Sequence, residues 1–343
     1  MKKTFLSMLS LVIGLAFFAG SSNASTQGFY KGKMLRIVVG FSAGGGFDTY
    51  SRAFARHISK HIPGNPTVIV QNMPGAGSLI AANHVYKVAK PDGLTIGHFI
   101  GSLFMGQVLG RPGIKFDARK FEYINAPVRD TPVCVLTKAS GITSMKKWMV
   151  SKKPIKLGGS APGNTTDDHP NILKATIGLP VQIVSGYRGT SKIRLAAESG
   201  EVAGGCWTWD SIKATWSNAV KSGDVVVVLQ MMPKAHPDLP KVPLAIDFAK
   251  TEEARQLIQV GIHSISAIIR PYVLPPGTPK DRVQLLRKAF RNTLKDREFL
   301  ADAKRSKLTL NPVAGEELER TVGGLFKLSP SLVARLKKAV GLK

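Results

Sequence analysis

Phe41-Ser42-Ala43-Gly44-Gly45-Gly46, with Asp48 close behind, is a stretch suited to presenting main-chain donors. Glycines let the backbone take positive φ and approach a bound group with no Cβ in the way. A helix starting there adds unpaired N–H groups and the positive end of its dipole. Together these suit an anion. Read locally, the same residues favour a plain tight turn with Asp48 as a helix cap. The named phosphate motifs do not fit, because Thr49 stands where the dinucleotide fingerprint needs its last Gly or Ala and no Gly-Lys-Ser/Thr follows.

A second loop of small polar residues, Ser160 to Thr166, includes Gly163, Asn164 and Thr165. A third, Tyr187-Arg188-Gly189-Thr190, places an arginine beside glycine. Arg188 could clamp a carboxylate with two parallel hydrogen bonds, or serve as an ordinary surface arginine. Trp207 could wall a pocket, although large aromatics more often fill cores.

Ser160 also raises hydrolysis. Gly158-Gly159-Ser160-Ala161-Pro162 approaches a nucleophile elbow, but Pro162 stands where the last Gly belongs. Asp167, Asp168 and His169 are near in sequence, which does not make a triad, since triads are recognised by geometry. His57 and His61 have metal-ligand spacing, yet Arg52, Arg56 and Lys60 share the segment and disfavour a cation. Neither a metal nor a cofactor is expected.

These loops need elements to hold them. Leu35–Gly40 reads as a buried strand and Asp48–His61 as an amphipathic helix, so the first glycines turn strand into helix. The alternation continues with strands Thr67–Gln71 and Leu94–Phe99 around helix Leu79–Ala89, indicating parallel pairing. Asn72 to Ser78 is a further glycine loop between them. A second round follows: strand Ile155–Gly159, a helix to Ile177, strand Pro180–Val184, helix Ser191–Ser199 and strand Glu201–Cys206. Further strands are expected at Phe121–Val128, Pro132–Lys138, Asp224–Gln230 and Ser264–Arg270, and a long basic helix at Lys280–Lys295. In open α/β sheets, ligands bind beyond the carboxyl ends of the strands, where these loops lie.

Length and composition agree with this plan. The chain of 343 residues, 43% hydrophobic and 20% charged, is an ordinary globular sequence. Lys2 and Lys3, an apolar run Phe5–Phe18 and small residues up to Ala24 form an export signal, with cleavage expected after Ala24. The net charge of +26 attracts anions, but Pro279–Arg305 interleaves acids with its bases as solvated helices do. Export and the lack of base-stacking aromatics on a basic strand argue against nucleic acid. Cys134 and Cys206 both lie in apolar strand-like runs, which reads as two buried thiols rather than a disulfide framework.

In this order and spacing the motifs resemble the periplasmic receptors of tripartite tricarboxylate transporters, the TctC or Bug family. Ser42-Ala43-Gly44-Gly45 with Asp48 matches the family's opening Pro-Ala-Gly-Gly and Asp, with Ser42 replacing Pro. Asn72-Met73-Pro74-Gly75-Ala76-Gly77, Pro91-Asp92-Gly93-Leu94-Thr95, Tyr187-Arg188-Gly189-Thr190 and Leu274-Pro275-Pro276-Gly277-Thr278-Pro279 carry the rest. The match runs from about Lys33 to Lys338 and departs at Thr165, Thr166 and Ala203.

The resemblance implies an α/β, two-lobed periplasmic-binding-protein-like fold, each lobe a mostly parallel sheet flanked by helices. Domain 1 would comprise residues 25–131 and 243–343, domain 2 residues 132–242, after a signal peptide of residues 1–24. A small carboxylate would sit between the lobes, held by backbone amides of the two small-residue loops, and be delivered to integral membrane transporter subunits. By the same analogy the receptor is a monomer. The alternatives are a secreted serine hydrolase using Ser160 and a ligand sensor for a signalling partner.

Overall fold

Met34–Val39 (β1) is an apolar, β-branched run flanked on both sides by parallel strands, Thr67–Asn72 (β2) and Thr95–His98 (β3). The register sets Val39 opposite both Asn72 and His98, so all three strands end at one level. The computed structural model describes residues 28–342, so the expected export signal lies outside the described residues. Among them, no helix is long and apolar enough to cross a membrane.

Helix α1 (Gly46–His57) follows β1 through the glycine turn, α2 (Leu79–Lys87) follows β2, and α3 (Ser102–Val108) follows β3. Tyr50, Ala53 and Phe54 form the buried face of α1. Phe54 packs against Tyr272, Phe290 and Phe299, whose ring centroids lie 5.6, 4.9 and 4.8 Å away. Residues from the far end of the chain therefore cover the first helix. The sheet is completed by β4 (Glu122–Ala126), β10 (Tyr272–Leu274) and β11 (Val313–Ala314), all paired antiparallel, in the order β11-β4-β10-β3-β1-β2.

The second sheet has the order β7-β6-β8-β5-β9. Its strands are β5 (Pro132–Thr137), β6 (Ile155–Gly158), β7 (Val181–Val184), β8 (Gly204–Thr208) and β9 (Val225–Gln230). β6 runs parallel to β7 and β8, whereas β5 is antiparallel to β8 and β9. The parallel pairing expected from the alternation thus describes one half of each sheet, and antiparallel strands complete the other. Helices α4 (Met145–Met149), α5 (Thr165–Ile177), α6 (Thr190–Glu198), α7 (Trp209–Thr215) and α8 (Ser217–Ser222) belong to this lobe, and α9 (Glu252–Ile258) lies on the way back. The C-terminal helices are α10 (Lys280–Thr293), α11 (Arg297–Arg305), α12 (Gly315–Leu325) and α13 (Pro330–Ala339).

Two expectations are corrected. Cys134 and Cys206 form a disulfide, because antiparallel β5 and β8 set them directly opposite each other with Cα atoms 4.0 Å apart. Ser264–Arg270 is not a strand: a π-helical turn, Gln259–His263, and a 3-10 turn, Ser266–Ile268, occupy the region, and the strand begins at Tyr272. Ile265 to Arg270 is buried throughout, and a segment buried on every side shows no period to separate strand from helix. Strand β8 also starts three residues later than Glu201, and α3 and α7 had no clear signal.

Candidate functional site

The loops at the carboxyl ends of β1 and β3 face those at the carboxyl ends of β6, β7 and β8. Ser42 N–H donates to the Arg188 carbonyl at 3.0 Å, and the Ser42 and Ser191 hydroxyls meet at 3.1 Å. Arg194 Nη2 donates to the Gly44 carbonyl at 3.0 Å, and Ser102 Oγ to that of Gly163 at 2.7 Å. Arg111 pairs with Asp168 at 3.1 Å across the same seam.

Inside this seam is a cavity of about 30 Å³. That is room for a water or two, so an organic ligand enters only when the lobes part. Of the candidate residues, Phe41, Ser160, Asn164, Thr165, Thr166, Thr190 and Trp207 line it. Gly46 abuts it through Ser211 and Arg270, while Gly45 and Gly189 sit at the contact between the lobes, Gly45 against Thr190 Oγ1 and Gly189 against Phe41.

Other candidates do different work. Ala43 and Gly44 are exposed on the outer side of the turn, with Gly44 at φ 78°, a region that favours glycine. Asp48 is consumed internally: its carboxylate accepts from the Gly44 amide, Arg52 and Asn72, each at 3.0 Å. Burial would raise its pKa, but these hydrogen bonds hold it below the usual range. Asn72 also donates to the Phe41 carbonyl at 2.9 Å, so the second glycine loop braces the first. Gly163, at φ 94°, packs on Arg111 and donates to Asp168. Tyr187 turns its hydroxyl to Glu201 at 2.5 Å, and Arg188 reaches the opposite loop with its carbonyl while its side chain is exposed.

Helix α5 is started by Asn164, whose Oδ1 accepts from Thr166 N–H at 3.1 Å. That cap leaves Asn164 Nδ2 without a partner. Ser160 Oγ and Trp207 Nε1, which belong to cavity-lining residues, and Arg270 Nη1 are likewise buried and unpaired. Buried polar atoms are normally satisfied, so four unpaired ones around one cavity, three of them obligate donors, mark a place for acceptor oxygens. A larger groove of about 640 Å³, lined by Met145, Met149, Val227 and Phe248, has mainly apolar walls and no such convergence.

Phe47, Ile100, Thr208, Ser211, Ile269 and Arg270 also line the cavity and were missed. Arg270 matters most. It is 1% exposed, with Nε on Asp130 Oδ1 at 2.8 Å and Nη2 on Thr208 Oγ1 at 2.6 Å. Asp130 lies on the segment crossing from the first sheet to the second, and Arg270 on the segment crossing back. Its one weak signal is an arginine in an otherwise apolar run, Ile268-Ile269-Arg270.

Burial pushes the Asp130 carboxyl up to about 7, opposed by Arg270 and assisted by the nearby Asp210. His98, buried behind the cavity and stacked on Tyr272 at 4.0 Å, is held well below its usual pKa by burial and by Arg270, and stays neutral. The Asp130 shift has a consequence for stability. Between 3.8, its ordinary value, and about 7 the folded protein binds the extra proton, so this group's contribution falls as pH rises. The stability of Asp130→Asn relative to wild type should therefore rise across that window in urea unfolding, and a constant difference would contradict the shift.

Ser160 Oγ and both ring nitrogens of His169 have no hydrogen-bond partner, so no Ser160–His169 pair is formed. Burial and His263 push His169 down to about 3. His169 instead borders a separate small cavity with Ile172, Gly261 and Leu336.

Residues 51–318 match the family model described as the tripartite tricarboxylate transporter family receptor. The chain belongs to that receptor family. It is 27% identical over 286 residues to the UPF0065 protein in gbd 5′ region of Cupriavidus necator, covering 82% of this chain and 80% of that protein. The periplasmic binding protein BugD superimposes with TM-score 0.72 at 22% identity, over 92% of this chain and 99% of its own. MatC from Rhodopseudomonas palustris with bound malate gives TM-score 0.71 at 18% identity, over 90% and 99%. At these identities the solved structures establish the shared two-lobed fold of this receptor family.

Proposed function

We propose that this receptor captures a small organic carboxylate between its lobes and delivers it to the integral membrane subunits of a tripartite tricarboxylate-type transporter. The observation that carries this reading is the convergence of Asn164 Nδ2, Trp207 Nε1, Ser160 Oγ and Arg270 Nη1, all buried and unpaired, around one interlobe cavity. Malate in the similarly folded MatC supports the ligand class. The lobes are residues 25–131 with 243–343, and 132–242. The two crossing segments form the hinge about which they close. Exported by residues 1–24 and cut after Ala24, the receptor works in the periplasm as a monomer.

A serine hydrolase needs a base on Ser160, and Ser160 Oγ has none. A thermal-shift screen of mono-, di- and tricarboxylates tests the binding reading. Saturation at about 100 times the Kd adds about 2.7 kcal/mol of stability. At least one carboxylate should raise Tm by several degrees. No shift with any carboxylate, together with a shift from a sugar or a cation, would overturn it.

A further inference from the structure

We propose that Arg270 is a second anion receptor in the cleft, pairing through Nη1 with a charged group of the ligand other than the one held by the loops, so that the site selects dianions over monoanions. This rests on the reading that the cleft binds carboxylates.

Arg270 uses Nε on Asp130 and Nη2 on Thr208, while its Cζ lies 4.6 Å from the Phe47 ring centroid and 5.1 Å from that of Tyr50. These contacts fix the plane of the guanidinium. They leave Nη1 buried, unpaired and beside the cavity, 3.1 Å from the point where a Cβ on Gly46 would sit. Only glycine at position 46 leaves that space open. The apolar walls, Phe41, Phe47, Ile100 and Ile269, exclude water and strengthen any ion pair formed there.

The acids near Arg270 are Asp130 and Asp210, and Tyr50 and His98 are neutral neighbours. Asp130, raised to about 7, carries a proton for part of the time at neutral pH, and one of its oxygens has no partner. What Arg270 keeps for a ligand is the Nη1 donor. A charged group meeting Nη1 in a dry site makes a hydrogen bond about twice as strong as a neutral one.

The test is titration calorimetry on the full mature chain with matched pairs: malate, succinate, glutarate and adipate, each against its half-amide. Wild type should prefer the dianion by about tenfold or more, or about 1.4 kcal/mol. In Arg270→Gln combined with Asp130→Asn, which removes both buried charges together, that ratio should collapse towards one. Arg270→Lys, which keeps the charge but loses the Nη1 donor, should give an intermediate ratio and serves if the double variant does not fold. A wild type with no dianion preference, or a double variant that retains it, overturns the role of Arg270 while leaving carboxylate binding standing. A wild type that binds no carboxylate at all overturns the binding reading, and this inference with it.

Discussion

Gly46→Val should weaken ligand binding by about 5- to 150-fold while the protein still folds, because overpacking a closed contact costs about 1–3 kcal/mol. A Cβ at position 46 would lie 2.9 Å from Ser211 Cβ, closer still to Ser211 Oγ, and 3.1 Å from Arg270 Nη1. Ser211 belongs to α7, on the opposite lobe. The clash therefore falls on the closed arrangement and is relieved when the lobes part, so the cost appears in affinity rather than in folding. Adding Ser211→Gly should recover part of the loss. Gly45→Ala should be milder, since the nearest atom to its Cβ would be Thr190 Oγ1, at 3.2 Å. Calorimetric titration of the three variants with one tight ligand reads these effects directly, and unchanged affinity in Gly46→Val would contradict them.

Replacing Cys134 and Cys206 together by Ala should destabilise the protein by about 4 kcal/mol, from the entropy that a crosslink of this span removes from the unfolded chain. The two residues are 72 positions apart and both are fully buried between β5 and its neighbours. Their bond holds the antiparallel half of the second sheet to the parallel half, since β8 also pairs with β6. Denaturant unfolding with and without reductant checks the effect: reductant should lower the midpoint of wild type and leave the double variant unmoved. Equal midpoints for all samples would remove the disulfide from the stabilising contacts.

What was readable in the sequence was local. Met34–Val39 could be recognised as a strand and Gly44–Gly46 as its exit because a buried β-branched run and consecutive glycines each limit the backbone at their own positions. The loop Ser160 to Thr166 was legible in the same way, as small polar residues between a strand and a helix, although α5 already begins at Thr165. Those signals placed the loops that frame the cavity. Asp48 and Tyr187 lie in these loops, with their side chains engaged by Arg52 and Glu201.

What was not readable depended on distant partners. The Cys134–Cys206 bond requires the β5–β8 register, which is set by pairing across 72 residues. Arg270 acquires meaning from Asp130, 140 positions away, and from Phe47 at the start of α1. In an apolar run its charge looks incidental, and the run itself was read as a strand because burial on all sides erases periodicity. Ser211 and Thr208 reach the cavity only because β8 ends level with the facing loops, a fact of topology rather than of composition.

The most direct test of carboxylate capture is a calorimetric titration of the mature protein with small dicarboxylates, run beside sugars and amino acids and repeated with Gly46→Val. Saturable one-to-one binding of a dicarboxylate, lost in the variant, is the predicted result. Heat from a sugar or an amino acid with none from any carboxylate, or binding that survives Gly46→Val intact, would contradict it.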